Sequence, residues 1–184
     1  MLTPTLADRY RGFLFWLGRQ NWFNWLGPRL FTPLDRWLYP RTHGAFVSAG
    51  PPVLPLLMLT TLGRASGRDR TVPLLYMRQR DDLIVVGSNW ARAAHPAWSE
   101  NLLANAHCVV TIGRSTQRAY AQLLPVDEAN ALWPNLEAFC PVWRTYRERS
   151  GRELRVFVLR PETRAQAGLT LQRACFQGTT RRSR

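Results

Sequence analysis

Leu59-Thr60-Thr61-Leu62-Gly63-Arg64-Ala65-Ser66-Gly67-Arg68-Asp69-Arg70-Thr71-Val72-Pro73-Leu74-Leu75-Tyr76 is a pair of apolar runs joined by a short turn that carries three arginines and a serine. It reads as a β-hairpin that holds an anion. Gly63 and Gly67 allow positive φ and close backbone approach, and arginine offers a forked donor matched to phosphate or carboxylate. Each charge-assisted hydrogen bond is worth about 1.5 to 3 kcal/mol, so a few of them anchor an acidic ligand tail.

Working outward, Leu54 to Leu62 reads as a first strand, entered through a linker holding Pro51, Pro52 and Pro55. The second strand runs from about Arg70 to Arg78. A polar turn at Gln79-Arg80-Asp81-Asp82 leads to a third, Leu83-Ile84-Val85-Val86. Ser88 to Ala94 is a loop, and His95-Pro96-Ala97-Trp98 opens a short helix ending near Asn105. Cys108 to Ile112 turns at Gly113-Arg114 into a fifth strand, in which Arg118, Tyr120 and Gln122 alternate with Ala119, Ala121 and Leu123. Asp127 is an expected N-cap, and Pro134 and Pro141 predict a broken helical segment through Arg149. Leu154 to Leu159 forms a sixth strand. The class is α+β, mainly β: a small barrel-like antiparallel sheet of about six strands with helices at its mouth.

The first forty residues differ in character. Phe13, Phe15, Trp16, Trp22, Phe23, Trp25, Phe31 and Trp37 are interleaved with Arg9, Arg11, Arg19, Arg29 and Arg36. The uncharged runs are far shorter than the roughly 20 residues of a spanning helix, and no small-residue cleavage site follows. Apolar spacing predicts two short amphipathic helices separated near Gly27-Pro28. They either lie at a membrane surface or pack on the domain body. The expected organisation is residues 1–41 as these helices, 42–161 as the barrel and 162–184 as a basic tail.

With 184 residues, 46% of them hydrophobic and 20% charged, the chain is long enough for one cored domain and too apolar for general disorder. The 25 basic residues are all arginine, and against 12 acidic ones they give a formal charge of +13. Acidic partners follow, whether nucleic acid, anionic lipid or a polyanionic small molecule. Cys108, Cys140 and Cys175 show no CxxC spacing, and His43, His95 and His107 are scattered. Neither a disulfide framework nor a metal site is expected, and a reducing cytoplasm is the default compartment.

The ordered set Leu-Thr-Thr-x-Gly-Arg-x-Ser-Gly-x-x-Arg-x-x-Pro-Leu, then Val85-Val86-Gly87-Ser88-Asn89, His95-Pro96-Ala97-Trp98 and Asn101-Leu102, resembles the deazaflavin-dependent nitroreductase family over roughly Val53 to Pro161. The resemblance implies a split β-barrel related to flavin-binding folds. It implies coenzyme F420, a deazaflavin with a phosphate and an oligoglutamate tail, as hydride donor, with FMN or FAD as the alternative. It also implies small or dimeric bacterial proteins, some with membrane-associated N-terminal helices. By the same resemblance, Arg64, Ala65, Ser66 and Arg70 bind phosphate and tail, with Arg68 and Arg92 supplying further charge. Thr71, Val72, Pro73, Leu74 and Leu75 run along the ribityl chain and ring edge, and Val86, Gly87, Ser88 and Asn89 face the ring. Ala97, Trp98, Ser99, Glu100 and Asn101 complete the pocket, and Trp143 covers the ring.

Because the deazaflavin supplies the hydride, the protein has only to position it and exclude water. The Ser88 hydroxyl and Tyr146 phenol are the candidate catalytic groups for a proton or hydrogen bond to the acceptor. The chain departs from better-known relatives at Ala65 and Asn89, where basic residues are usual, and at Cys140 and Trp143, where tyrosines cluster. A quinone or enone in an apolar pocket therefore suits it better than a nitroimidazole. The expected activity is hydride transfer from reduced F420 to a hydrophobic acceptor (quinone, enone or nitro compound), in a cytoplasmic protein with peripheral contact to the inner membrane face. Two other classes compete: a flavin, haem or fatty-acid carrier on the same barrel, and a basic nucleic-acid binder, which lacks any reading motif.

Overall fold

The computed structural model describes residues 5–48 and 54–162. Pro51 and Pro52 of the expected linker, Cys175 and the basic tail beyond Glu162 lie outside them. The elements in chain order are α1 (Leu6–Gly18), α2 (Asn21–Thr42), β1 (Leu56–Leu62), β2 (Asp69–Gln79), β3 (Asp82–Val86), α3 (Ala97–Ala104), β4 (His107–Ile112), β5 (Ser115–Leu123), α4 (Val126–Phe139), α5 (Val142–Ser150) and β6 (Val156–Pro161). A single turn of 3-10 helix spans Asn89–Ala91.

The six strands close into an antiparallel barrel in the order β1-β2-β3-β6-β5-β4, with β4 returning to β1. Long β2 pairs with β1 through its first half and with β3 through its second, so it turns the corner between the two sides. Alternation sorts the side chains. Leu57, Leu59, Leu83, Val85, Val110, Ala119, Ala121, Phe157 and Leu159 point inward and form the barrel core. Ile84, Val86, Val156 and Val158 point outward and are covered by Trp133, Leu136, Val142 and Trp143 from α4 and α5. Both faces of β3 and β6 are therefore buried, which is why those strands are continuous apolar runs. Each large side chain fully buried here contributes about 1.5 to 3 kcal/mol.

The hairpin forms as its sequence predicts, with Thr60 opposite Thr71 and their hydroxyls 2.8 Å apart. Gly67 has φ +61 and takes the left-handed position. Gly63 serves differently from expectation: its φ is not positive, but a Cβ there would stand 2.7 Å from Ser66 Oγ and 3.0 Å from the Arg68 carbonyl. The need is for space, because Gly63 N–H donates to that carbonyl at 2.9 Å.

The helices depart from expectation in several places. The N-terminal pair breaks at Arg19–Gln20, not at Gly27-Pro28, and α2 continues through Pro28, Pro33 and Pro40. Tertiary packing holds it there against the lost ladder bonds. Gly27 faces the Trp90 indole so closely that a Cβ would lie 2.6 Å from the ring. Tyr39, 2% exposed, donates to the Leu56 carbonyl at 2.9 Å and accepts from Gly113 N–H at 3.1 Å. The pair is thus docked on the barrel, as one of the two expected alternatives has it. Farther along, Pro125 and not Asp127 is the N-cap of α4, and Asp127 and Glu128 instead place charge in its positive first turn. Pro134 stays inside α4, and the break falls at Cys140-Pro141 alone.

The Gly27 notch makes a measurable demand. Gly27→Ala gains about 1 kcal/mol of helix propensity but overpacks the Trp90 ring by about 1 to 3 kcal/mol. The expected net result is a lower midpoint of urea unfolding and faster amide exchange across residues 88–92.

Candidate active site: an apolar cavity under the N-terminal helices

A cavity of about 720 Å³ opens between the barrel wall and the N-terminal helices. One side is made by Val72, Pro73, Leu74 and Leu75 of β2 with Val86, Ser88 and Asn89 after β3. Trp98 of α3 and Trp143 and Tyr146 of α5 close the ends. The opposite side comes from Tyr10, Phe13, Leu14 and Leu17 of α1 and from Phe23, Pro28, Phe31 and Asp35 of α2. The volume and the predominantly apolar lining suit an aromatic ring system with a flat acceptor beside it.

The basic turn lies at the hairpin end of β2, outside the cavity lining. Arg64, Ala65, Ser66, Arg68 and Arg70 are exposed, and an Arg70 Nη2 to Ser66 Oγ contact of 3.4 Å holds two of them together. Thr71 leads from the turn into the residues that line the cavity. Of the α3 residues predicted for the pocket, Trp98 lines it and Ala97 is exposed at the helix start. Ser99 and Asn101 are buried in the frame behind it. Asn101 accepts Arg64 N–H at 3.1 Å and donates to Thr61 Oγ1 at 3.0 Å, fastening the turn to α3. Ser99 Oγ donates to the Pro96 carbonyl and accepts from Arg155. Glu100 is paired with Arg155 at 2.6 Å, and this hydrogen bond holds its carboxyl below the usual carboxylate range. The charge of Glu100, near Arg64, is thereby taken up by Arg155, and the turn itself carries Arg64, Arg68 and Arg70 against the single acid Asp69.

Ser88 sits on the cavity wall, fixed through its main chain: its N–H donates to Val86, and its carbonyl accepts from Ala91 and from Arg152. The following residues, Asn89, Trp90 and Ala91, all have positive φ (48, 56 and 60), an uncommon conformation for side chains of this size. The strain throws Trp90 away from the barrel into the Gly27 notch, where it also packs on Phe23 at 5.7 Å. Asn89 Nδ2 donates to the Ala94 carbonyl at 2.7 Å and closes the loop. Tyr146 is buried, not surface-lying, and its phenol donates to Asn24 Oδ1 at 2.8 Å. Burial pushes that phenol up, so Tyr146 keeps its proton and braces α2. Cys140 is likewise buried, its thiol pushed up to about 12, far from a nucleophilic thiolate. Among the described residues no three His, Cys, Asp or Glu side chains gather as a metal site.

Three contributors escaped the sequence reading. Asn24 is one, hidden in a stretch read only for its aromatic and arginine pattern. Asp35 is another: 9% exposed and lining the cavity, its Oδ1 accepts Ser48 N–H at 2.6 Å, and burial raises its carboxyl. Its signal was that it is the only acid in α2. The third is Arg152, whose Nη2 donates to the Gly87 and Ser88 carbonyls, Nε to the Arg92 carbonyl and Nη1 to His95 Nδ1 at 2.9 Å. Desolvation, reinforced by Arg152, lowers the His95 imidazole, consistent with a neutral ring accepting that bond.

Arg152 spans 60-odd residues of chain to hold both ends of the strained loop. Arg152→Lys keeps the charge but loses the fork. A stability loss of about 1 to 3 kcal/mol in urea unfolding and weakened exchange protection over residues 87–92 are expected.

Residues 34–161 match the family described as F420H(2)-dependent quinone reductase. In Mycobacterium tuberculosis, the F420H(2)-dependent quinone reductase Rv1261c is 30% identical over 125 residues, an alignment covering 66% of this chain and 84% of that protein. A solved F420-H2 dependent reductase, FDR-A, superposes with a TM-score of 0.52 at 27% identity, covering 57% of this chain and 93% of its own. A structure described as a domain-swapped dimer gives 0.53 at 27% identity, covering 67% and 95%. The family match, the relatives and the split barrel agree, and the chain belongs to the F420H(2)-dependent quinone reductase family of oxidoreductases.

Proposed function

We propose that the protein reduces a quinone held in the cavity, with hydride supplied by reduced F420 whose acidic tail lies on the Arg64–Arg70 turn. The observation that carries this reading is the continuity of β2. The turn presents guanidinium groups at one end, and two residues beyond Arg70, Val72 to Leu75 line an apolar chamber large enough for two stacked rings. Asn101 fastens the turn to β1 and α3. In this reading Thr71 to Leu75 follow the cofactor's chain, Val86 to Asn89 face its ring, and Trp98 and Trp143 wall it in. Bound F420 supplies the hydride, and the protein orients the acceptor and keeps water out. Ser88, anchored through its backbone, offers a hydroxyl to the acceptor as negative charge builds. The apolar lining favours quinones and enones over nitro compounds, and the names of the relatives lend no support to FMN or FAD.

The aromatic residues turned away from the barrel suit delivery of a lipid-soluble acceptor. Trp16, Trp22, Trp25 and Trp37 are each more than half exposed, and Arg29 and Arg41 stack on Trp25 and Trp37 with the guanidinium carbon 4.3 Å from the ring centre. No helix among the described residues is long and apolar enough to cross a membrane. We read this face as a peripheral contact with anionic lipid. Self-association is proposed on the domain-swapped relative alone.

Two experiments test these readings. Mixed with reduced F420 and menadione, the protein is expected to oxidise the cofactor, and Arg64→Gln with Arg70→Gln to raise the KM for it by about 10- to 100-fold while sparing menadione. A carrier would leave the cofactor reduced. In liposome flotation with anionic vesicles, Trp22→Ser, Trp25→Ser and Trp37→Ser together are expected to abolish co-flotation without lowering turnover of soluble menadione. Equal flotation of both proteins removes the membrane reading.

A further inference from the structure

Among the described residues Asp35 is the only carboxyl group lining the cavity, and no arginine described there pairs with it. None of the ion pairs among the described residues includes it, although six other acids are paired. Its hydrogen-bond partner there is Ser48, whose main-chain N–H donates to Oδ1 at 2.6 Å and whose hydroxyl also bonds the carboxyl group. A buried carboxylate with no cation beside it is costly, and burial shifts Asp35 toward its protonated form against the opposing pull of the Ser48 hydrogen bonds. With Oδ1 serving as the acceptor toward Ser48, the proton belongs on Oδ2. The surrounding wall offers Thr32, Ser48, Phe31 and Val47, with no guanidinium among the lining residues. An apolar acceptor entering the cavity removes the remaining water and strengthens the preference for the neutral acid.

We propose that Asp35 is the acid of the acceptor site: its Oδ2–H hydrogen-bonds a quinone carbonyl and delivers the proton that completes reduction. This rests on the quinone reading above. Addition of hydride to the quinone brings two electrons and one hydrogen and leaves a hydroquinone anion. The Oδ2–H bond breaks, an O–H bond forms on the anion, and neutral hydroquinone departs. Asp35 is left as a carboxylate, which takes a proton from water once the cavity opens. Two phenols also line the cavity, Tyr10 and Tyr146, and Tyr146 is occupied with Asn24 and does not compete for this step. The assignment also gives the helical roof a chemical part beyond covering the ring, since Asp35 is carried by α2.

The first test needs no cofactor. In infrared difference spectra of the F420-free protein, menadione is expected to shift the carbonyl stretch of a protonated carboxylic acid to lower frequency, together with a quinone carbonyl band. Both shifts should vanish in Asp35→Asn, which still accepts from Ser48. With reduced F420 and menadione, Asp35→Asn is expected to lose about 100-fold in kcat with KM for menadione little changed, and Asp35→Glu, which keeps an acid, to recover most of it. A wild-type spectrum with no protonated carboxyl responding to menadione overturns the proposal even if Asp35→Asn does not fold. So does an Asp35→Asn protein that turns over like wild type. If wild type fails to oxidise reduced F420 while the carboxyl band still responds to menadione, the quinone-reductase reading fails and the carboxyl–quinone contact stands.

Discussion

The chamber at the barrel mouth exists because one indole is held away from the sheet it follows. Trp90 leaves the barrel on three successive left-handed residues and seats against Gly27 of α2. That contact fixes the middle of α2 over the wall formed by Val86 and Ser88, beside the Asn24–Tyr146 bond and the Tyr39 anchor on the barrel. The strain is supportable because the loop is restrained from outside: Arg152 takes the carbonyls on both flanks, and Asn89 spans its base. A guanidinium suits the task because its donors diverge in a fixed plane, where an ammonium would satisfy fewer carbonyls.

The roof and the floor carry different chemistry. The floor is barrel: a dry core beneath an apolar wall, with polar side chains such as Thr61, Ser99 and Asn101 spent on joining strands, turn and helix. The roof carries buried polar groups, with Tyr39 bonded to the barrel, Asn24 to Tyr146 of α5 and Asp35 to Ser48, and it is aromatic where it faces outward. Buried polar groups in an otherwise apolar contact give register, since a shifted helix would leave each of them unsatisfied. The helices therefore enclose the chamber on one side and leave Trp16, Trp22, Trp25 and Trp37 exposed on the other.

Charge is distributed in keeping with this division. Arginine dominates the chain, yet the lining of the cavity holds none, and the exposed turn at the end of β2 concentrates three. Arg155 pairs with Glu100 beside that turn, so the net positive charge of the turn stands apart from the apolar cavity.

Strands, hairpin and turn were legible from order alone, because alternation and the Gly-Arg-x-Ser-Gly turn depend on neighbours two to five residues apart. The resemblance to deazaflavin enzymes lay in the same local pattern. Proline misled in α2 and α4, where Pro28 and Pro134 look like helix ends: their effect on an isolated helix is overridden by packing that sequence proximity does not report. Likewise Asn24 with Tyr146, Gly27 with Trp90, and Arg152 with residues 87 to 95 join positions tens of residues apart. What the order of residues determined by itself was the barrel, its hairpin and its basic turn, since these follow from periodicity and local backbone freedom. Only the tertiary structure decided that the N-terminal helices roof a chamber and turn Asp35 into it, because burial and long-range contact are properties of the folded chain.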